Sequence, residues 1–210
     1  MTENIKVFKQ NHIRVEYGDK IIHIDPFMTD RAMNDADLIL ITHDHHDHFS
    51  VEDIAKTAGE HTVLVVPENM RSKASEAVKL VERIETVKPQ ESYAIDGIEF
   101  ETVASYNINK PFHPKAAGWV GYILKTGEKR IYIAGDTDAT DEAESVKCDI
   151  ALVPAGGTYT MDAGEAAALV NTIRPKVAIP VHYGGIVGTK EDGRTFEKLV
   201  EDGIKVKLYI

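Results

Sequence analysis

The chain has 210 residues, 43% of them hydrophobic, a single cysteine and a formal net charge of −10. That length supports one sizeable core, the lone Cys148 excludes an intrachain disulfide and fits a reducing compartment, and the acidic balance argues against strong nucleic-acid binding, which depends on Lys and Arg neutralising phosphates. No apolar stretch approaches a bilayer span and the opening Met1-Thr2-Glu3-Asn4-Ile5-Lys6 lacks the basic-then-apolar pattern of a secretory signal, so one cytoplasmic domain over residues 1–210, without membrane association, is expected.

Residues 5–8, 12–17 and 20–24 read as short strands, with Tyr17-Gly18-Asp19 as a tight turn, so the chain should open as a meander. After Asp25-Pro26 a polar connection leads to a strand over 37–42. Ser50-Val51-Glu52-Asp53 then resembles a capping box, with Asp in place of Glu, opening a helix toward Ala58. Residues 62–66 read as a buried strand and 70–82 have helical composition. Asp96-Gly97 is a two-residue hairpin signal between strands at 93–95 and 98–104, and a second hairpin joins 121–125 to 130–134. Strands at 150–153, 177–181 and 205–209 alternate with helices at 163–173 and 195–201. Hairpins mixed with helical crossovers suggest an α/β protein, two sheets packed face to face with helices outside.

Directly after the apolar run Leu38-Ile39-Leu40-Ile41 comes Thr42-His43-Asp44-His45-His46-Asp47-His48, spaced as H-x-H-x-D-H. Positions two apart on an extended segment face the same side. His43 and His45 can therefore serve one ion while the turning chain aims Asp47 and His48 at a second, which points to a dinuclear hydrolytic site. A solvated His-rich loop is the competing reading. His12, His23 and His61 are isolated and read as surface or hydrogen-bonded histidines. Cys148 precedes an apolar run and reads as a packed thiol.

The cluster resembles that of the metallo-β-lactamase superfamily of metal-dependent hydrolases, and the resemblance runs over most of the chain. Ile24-Asp25-Pro26-Phe27 is similar to that family's early strand and Asp turn, Gly135-Asp136-Thr137 to its later Asp motif, and Val181-His182-Tyr183-Gly184 to its last His motif. Within the superfamily the chain is most similar to the small hydrolases that include ascorbate-6-phosphate lactonase. The resemblance implies a four-layer αββα sandwich with the metal site at one edge of the sheets. It also implies two divalent ions, zinc first, with manganese or iron open. His43, His45 and a third histidine would hold the first ion, Asp47, His48 and His182 the second, and Asp136 would touch both.

Where relatives carry the third histidine, this chain has Asn107, and His113 follows six residues later in Pro111-Phe112-His113-Pro114. Either His113 replaces the missing ligand or Asn107 contributes a weak oxygen; imidazole is the better ligand for zinc-like ions, and a single-ion enzyme stays open. Asp25 reads equally as an acceptor for the second ring nitrogen of a ligating histidine and as a plain Asp-Pro turn. Asp37 and His46 are placed outside the ligand set.

The expected activity is hydrolysis of a small, anionic ester, lactone or phosphodiester by a metal-activated water, with Asp47 as the catalytic residue that orients the nucleophile and moves its proton. There is no Gly-x-Ser-x-Gly elbow or phosphate-binding loop. Gly156-Gly157-Thr158-Tyr159 could line the pocket or be an ordinary Gly turn. A ribonuclease Z-like nuclease and a non-catalytic metal-binding sensor or redox protein are the alternatives. Substrate, physiological ion and oligomeric state are not legible in the residues.

Overall fold

Two mixed sheets, each built from consecutive strands, carry the chain. The computed structural model describes residues 2–210 and divides between Val87 and Lys88 into two compact units.

In the first unit, β1 (Ile5–Val7), β2 (Ile13–Tyr17) and β3 (Lys20–Ile24) form the expected antiparallel meander. β4 (Ala36–Leu40) then joins β3 in parallel, followed by α1 (Val51–Thr57), β5 (Ala58–Pro67), the single helical turn α2 (Arg71–Ala74) and β6 (Arg83–Val87). β4, β5 and β6 are parallel. The Leu38-Ile39-Leu40-Ile41 run is fully buried, as expected for a parallel strand covered on both faces. Ser50 caps α1 by accepting from Asp53 N at 3.2 Å, a cap worth about 1 kcal/mol.

Residues 70–82 do not form the single helix their composition suggests. A 3-10 turn at Glu68–Met70, α2, and a second 3-10 turn at Ser75–Ala77 replace it. Ser75 Oγ bonds back to Ser72 O at 2.6 Å, and such local side-chain bonds compete with the helical ladder. The segment then only has to return the chain to β6, an edge strand that the sequence reading did not identify.

The second unit repeats the theme. β7 (Ser92–Ile95), β8 (Ile98–Ala104), β9 (Val120–Thr126) and β10 (Lys129–Ile133) are antiparallel. α3 (Asp141–Glu144), β11 (Ile150–Pro154), α4 (Ala163–Ile173), β12 (Val177–Val181), α5 (Lys190–Leu199) and the two-residue β13 (Lys205–Val206) complete a parallel segment. α4 opens on a reciprocal capping box between Asp162 and Glu165. It packs Ala166, Ala167, Leu169 and Val170 into a core shared with Tyr132, Val153 and Phe196.

α5 starts five residues before the helix read from sequence at 195–201. The helix runs through Gly193, where a Cβ would lie 2.5 Å from Tyr183 Oη. Close packing on the buried Tyr183 ring therefore outweighs the roughly 1 kcal/mol that glycine costs a helix interior. The last strand is shorter than the expected 205–209. Among the described residues, no helix is long and apolar enough to cross a membrane.

Candidate metal centre

Each unit gathers part of the predicted ligand set at the carboxyl ends of its strands. In the first, β4 ends at Leu40, and the chain turns through His48 N to His45 O (3.0 Å) and Phe49 N to His45 O (2.8 Å). This fold-back brings the rings together: His43 lies 4.7 Å from His45, edge to face, and 4.0 Å from His48, tilted, between centroids. Asp47 joins them, its Oδ2 3.6 Å from His48 Nε2. His43, Asp47 and His48 are buried, whereas His46 points out to solvent, as expected.

Asp25, fully buried at the end of β3, organises this group. It takes hydrogen bonds from Thr42 N (2.8 Å), Thr42 Oγ1 (2.7 Å), Asn11 Nδ2 (2.7 Å) and His48 Nδ1 (2.7 Å). The carboxylate cannot donate, so the proton between them sits on His48 Nδ1 and the lone pair on Nε2. Thr42 Oγ1, having spent its own hydrogen on Asp25, can only accept from His43 Nδ1 at 3.0 Å, which leaves the His43 lone pair on Nε2 as well. Asp25 therefore fixes ring tautomers, and its φ of +46° shows a backbone bent to deliver it.

In the second unit β8, β10, β11 and β12 run in the same direction, so their carboxyl ends share one sheet edge. Asp136 follows β10 through Gly135, and two imidazoles converge on its Oδ2: His182 Nε2 at 3.3 Å and His113 Nε2 at 3.4 Å. All three residues are buried. Asn107 does not face Asp136 in place of a histidine. Its Oδ1 accepts from His113 Nδ1 (3.0 Å) and from His113 N (3.1 Å), which again puts the lone pair on Nε2. Asn107 is itself fixed by donating to Asp138 Oδ1 and Tyr159 O.

His182 ends β12 with φ +56°, a conformation costly for a residue with a Cβ. The neighbouring chain allows it: a Cβ on Gly156 would stand 2.2 Å from His182 O, so only glycine fits. Residues 156–159 form a turn, as one of the two sequence readings had it, and its Gly156 serves the His182 backbone.

These donors suit a cation. The buried carboxylates at 25 and 136 are met by amide, hydroxyl and imidazole groups, and imidazole nitrogens beside carboxylate oxygens are donors that divalent transition ions accept. Sequence reading assigned no role to Gln10, Asn11, Thr42 and Asp138, and it weighed Gly156 only as pocket lining or an ordinary turn. Only the Gly-Gly pair carried a local signal. Of the isolated histidines, His61 is exposed beside Glu82. His12 and His23 are buried and hydrogen-bonded to each other at 2.9 Å, and His23 also meets Asp35 at 3.0 Å. Burial pushes the Cys148 thiol up to about 12, as befits a packed side chain.

A family model described as the beta-lactamase superfamily domain matches residues 4–182. The chain belongs to the metallo-β-lactamase superfamily. Its α/β architecture of two mixed sheets with helices is that family's fold. A UPF0173 metal-dependent hydrolase of Pyrococcus abyssi is 33% identical over 204 residues, covering 90% of this chain and 88% of its own. One from Thermoplasma acidophilum is 33% identical over 216 residues, covering 94% and 91%. A crystal structure from Parabacteroides distasonis, described as a metal-dependent hydrolase, superposes with a TM-score of 0.82 at 29% identity over 97% of this chain and 91% of that one. The superfamily membership and these relatives place the chain among metal-dependent hydrolases.

Proposed function

We propose that the two donor groups serve one pair of divalent ions, zinc first: His43, His45 and His113 for one, Asp47, His48 and His182 for the other, with Asp136 shared. The observation that carries this reading is the parallel orientation of His48 by Asp25 and of His113 by Asn107, each leaving Nε2 as the donor. A bound ion pair would lower the pKa of a shared water and stabilise charge on the attacked oxygen. Asp47 would orient that water and take up its proton. Asp25 and Asn107 hold the imidazoles, so the donors need not reorganise during turnover.

The substrate class is a small ester, lactone or phosphodiester. Phe112, directly beside His113 in sequence, and Tyr159 form an exposed edge-to-face pair, 4.8 Å between centroids, which offers an apolar rest for an organic substrate. An anionic group is compatible with the acidic chain because bound ions reverse the local sign.

The test is metal content per chain by elemental mass spectrometry, on protein purified without chelator or His-tag, together with turnover of p-nitrophenyl acetate, γ-butyrolactone and bis(p-nitrophenyl) phosphate. Close to two ions, falling toward one in His113→Ala, with turnover of at least one probe, supports the proposal. Retained metal with no turnover would favour a sensor, RNA cleavage a nuclease, and no retained or reconstitutable metal would end the catalytic reading.

A further inference from the structure

The turn between β1 and β2 places three polar side chains in a row, Gln10, Asn11 and His12, each 1% exposed or less. Each reaches a different partner: Gln10 Nε2 donates to Asp47 Oδ2 at 3.0 Å, Asn11 Nδ2 to Asp25 Oδ2 at 2.7 Å, and His12 Nε2 bonds His23 Nδ1. Asp47 and Asp25 flank the same imidazole, Asp25 at His48 Nδ1 (2.7 Å) and Asp47 facing Nε2 (3.6 Å). The two amides of one turn therefore brace the two carboxylates on either side of His48.

Gln10 adopts φ +58°, a region that residues with a Cβ enter at a cost and glycine enters freely. A strained glutamine whose side-chain amide donates to a buried carboxylate points to a function in that side chain. An amide is also the apt donor here. It fixes the carboxylate rotamer without the positive charge of Lys or Arg, which would compete with a cation for Asp47.

We infer that Gln10 is a positioning residue for Asp47, setting the direction and donor strength of its carboxylate toward the ion held with His48. This rests on the proposed metal-dependent reading. A hydrogen bond to a ligating carboxylate of this kind typically shifts metal affinity about ten- to a hundredfold.

The experiment compares wild type, Gln10→Gly and Gln10→Met, each stripped and titrated with cobalt(II). It follows the visible d–d spectrum, the stoichiometry against a chelator, and the unfolding temperature of the metal-free protein. Glycine relieves the backbone, and methionine keeps the bulk but has no N–H. The expected result is a weaker-binding cobalt step, about ten- to a hundredfold looser, and an altered spectrum in both variants, while metal-free Gln10→Gly unfolds at the wild-type temperature or above. Two cobalt ions bound with wild-type affinity and spectrum in both variants would overturn the assignment. So would wild-type binding in Gln10→Met alone, which would make Gln10 a mere filler. Absence of cobalt binding by the wild type would remove the metal-dependent reading itself and the Gln10 assignment with it, and that failure is seen without any variant.

Discussion

Asn107 Oδ1 accepts two hydrogen bonds from one residue, His113, through its ring Nδ1 and its backbone N. The amide thus fixes both the loop that carries His113 and the tautomer of its ring. Asn107→Leu should loosen metal retention about ten- to a hundredfold and cost about 1–3 kcal/mol of stability by stranding two buried donors. Asn107→Asp keeps the acceptor for His113 but turns the donations to Asp138 Oδ1 and Tyr159 O into acceptor–acceptor contacts, so it should retain more metal than Asn107→Leu while still losing about 1–3 kcal/mol of stability. Chelator competition and urea melts measure both.

Gly156→Ala should act on His182 without touching its side chain. The new Cβ would lie 2.2 Å from His182 O, and relieving such an overlap shifts backbone at a cost of about 1–3 kcal/mol. The expected outcome is a lower unfolding midpoint together with reduced metal content per folded chain. Wild-type metal content in a folded variant would show that His182 is held from elsewhere.

Within the histidine cluster, His46→Ala should leave metal content and stability unchanged, to within about 0.5 kcal/mol, because its side chain is exposed. Asp25→Ala should do the reverse. It removes the acceptor of four buried donors, so loss of metal and a stability loss of several kcal/mol are expected. Elemental analysis of the two proteins side by side checks this.

Acid sensitivity should come in part from His12 and His23. Burial, with His23 nearby, lowers the His12 pKa from 6.5 to about 3, and burial lowers that of His23 to about 4. The unfolded chain therefore takes up protons that the folded one refuses. The associated stability is present above about pH 6.5 and is lost as pH falls toward these values, at up to about 1.4 kcal/mol per pH unit for each histidine. Urea midpoints of metal-free protein between about pH 7.5 and 4.5 should fall accordingly. His12→Leu should flatten the slope by about one proton while costing about 1–3 kcal/mol at neutral pH, since His23 Nδ1 loses its donor.

Most strands and the contiguous His and Asp cluster were legible because their signals are local: β-branched runs, the Asp96-Gly97 turn, and three histidines and an aspartate within six positions. Asp136 and His182 could be read from strand-end placement together with the family resemblance. Gln10 and Asn11 could not, since they act across 37 and 14 residues and nothing near them marks the partner. The start of α5 was hidden because Gly193 is chosen for what it touches rather than for its propensity. The relation between Asn107 and His113, a hydrogen bond from the ring Nδ1 to the amide oxygen, could not be read from their spacing, which set them only as alternatives for one role.

The common direction of β8, β10, β11 and β12 has a practical corollary. Their carboxyl ends carry the donors of the second unit, so the turns that feed their amino ends, at Asp96-Gly97, Gly127-Glu128 and Arg174-Pro175, emerge at the opposite edge of that sheet. A fluorophore or surface tether attached at any of these three turns will sit a full strand length from Asp136 and His182, which makes them the natural attachment points for watching the molecule at work.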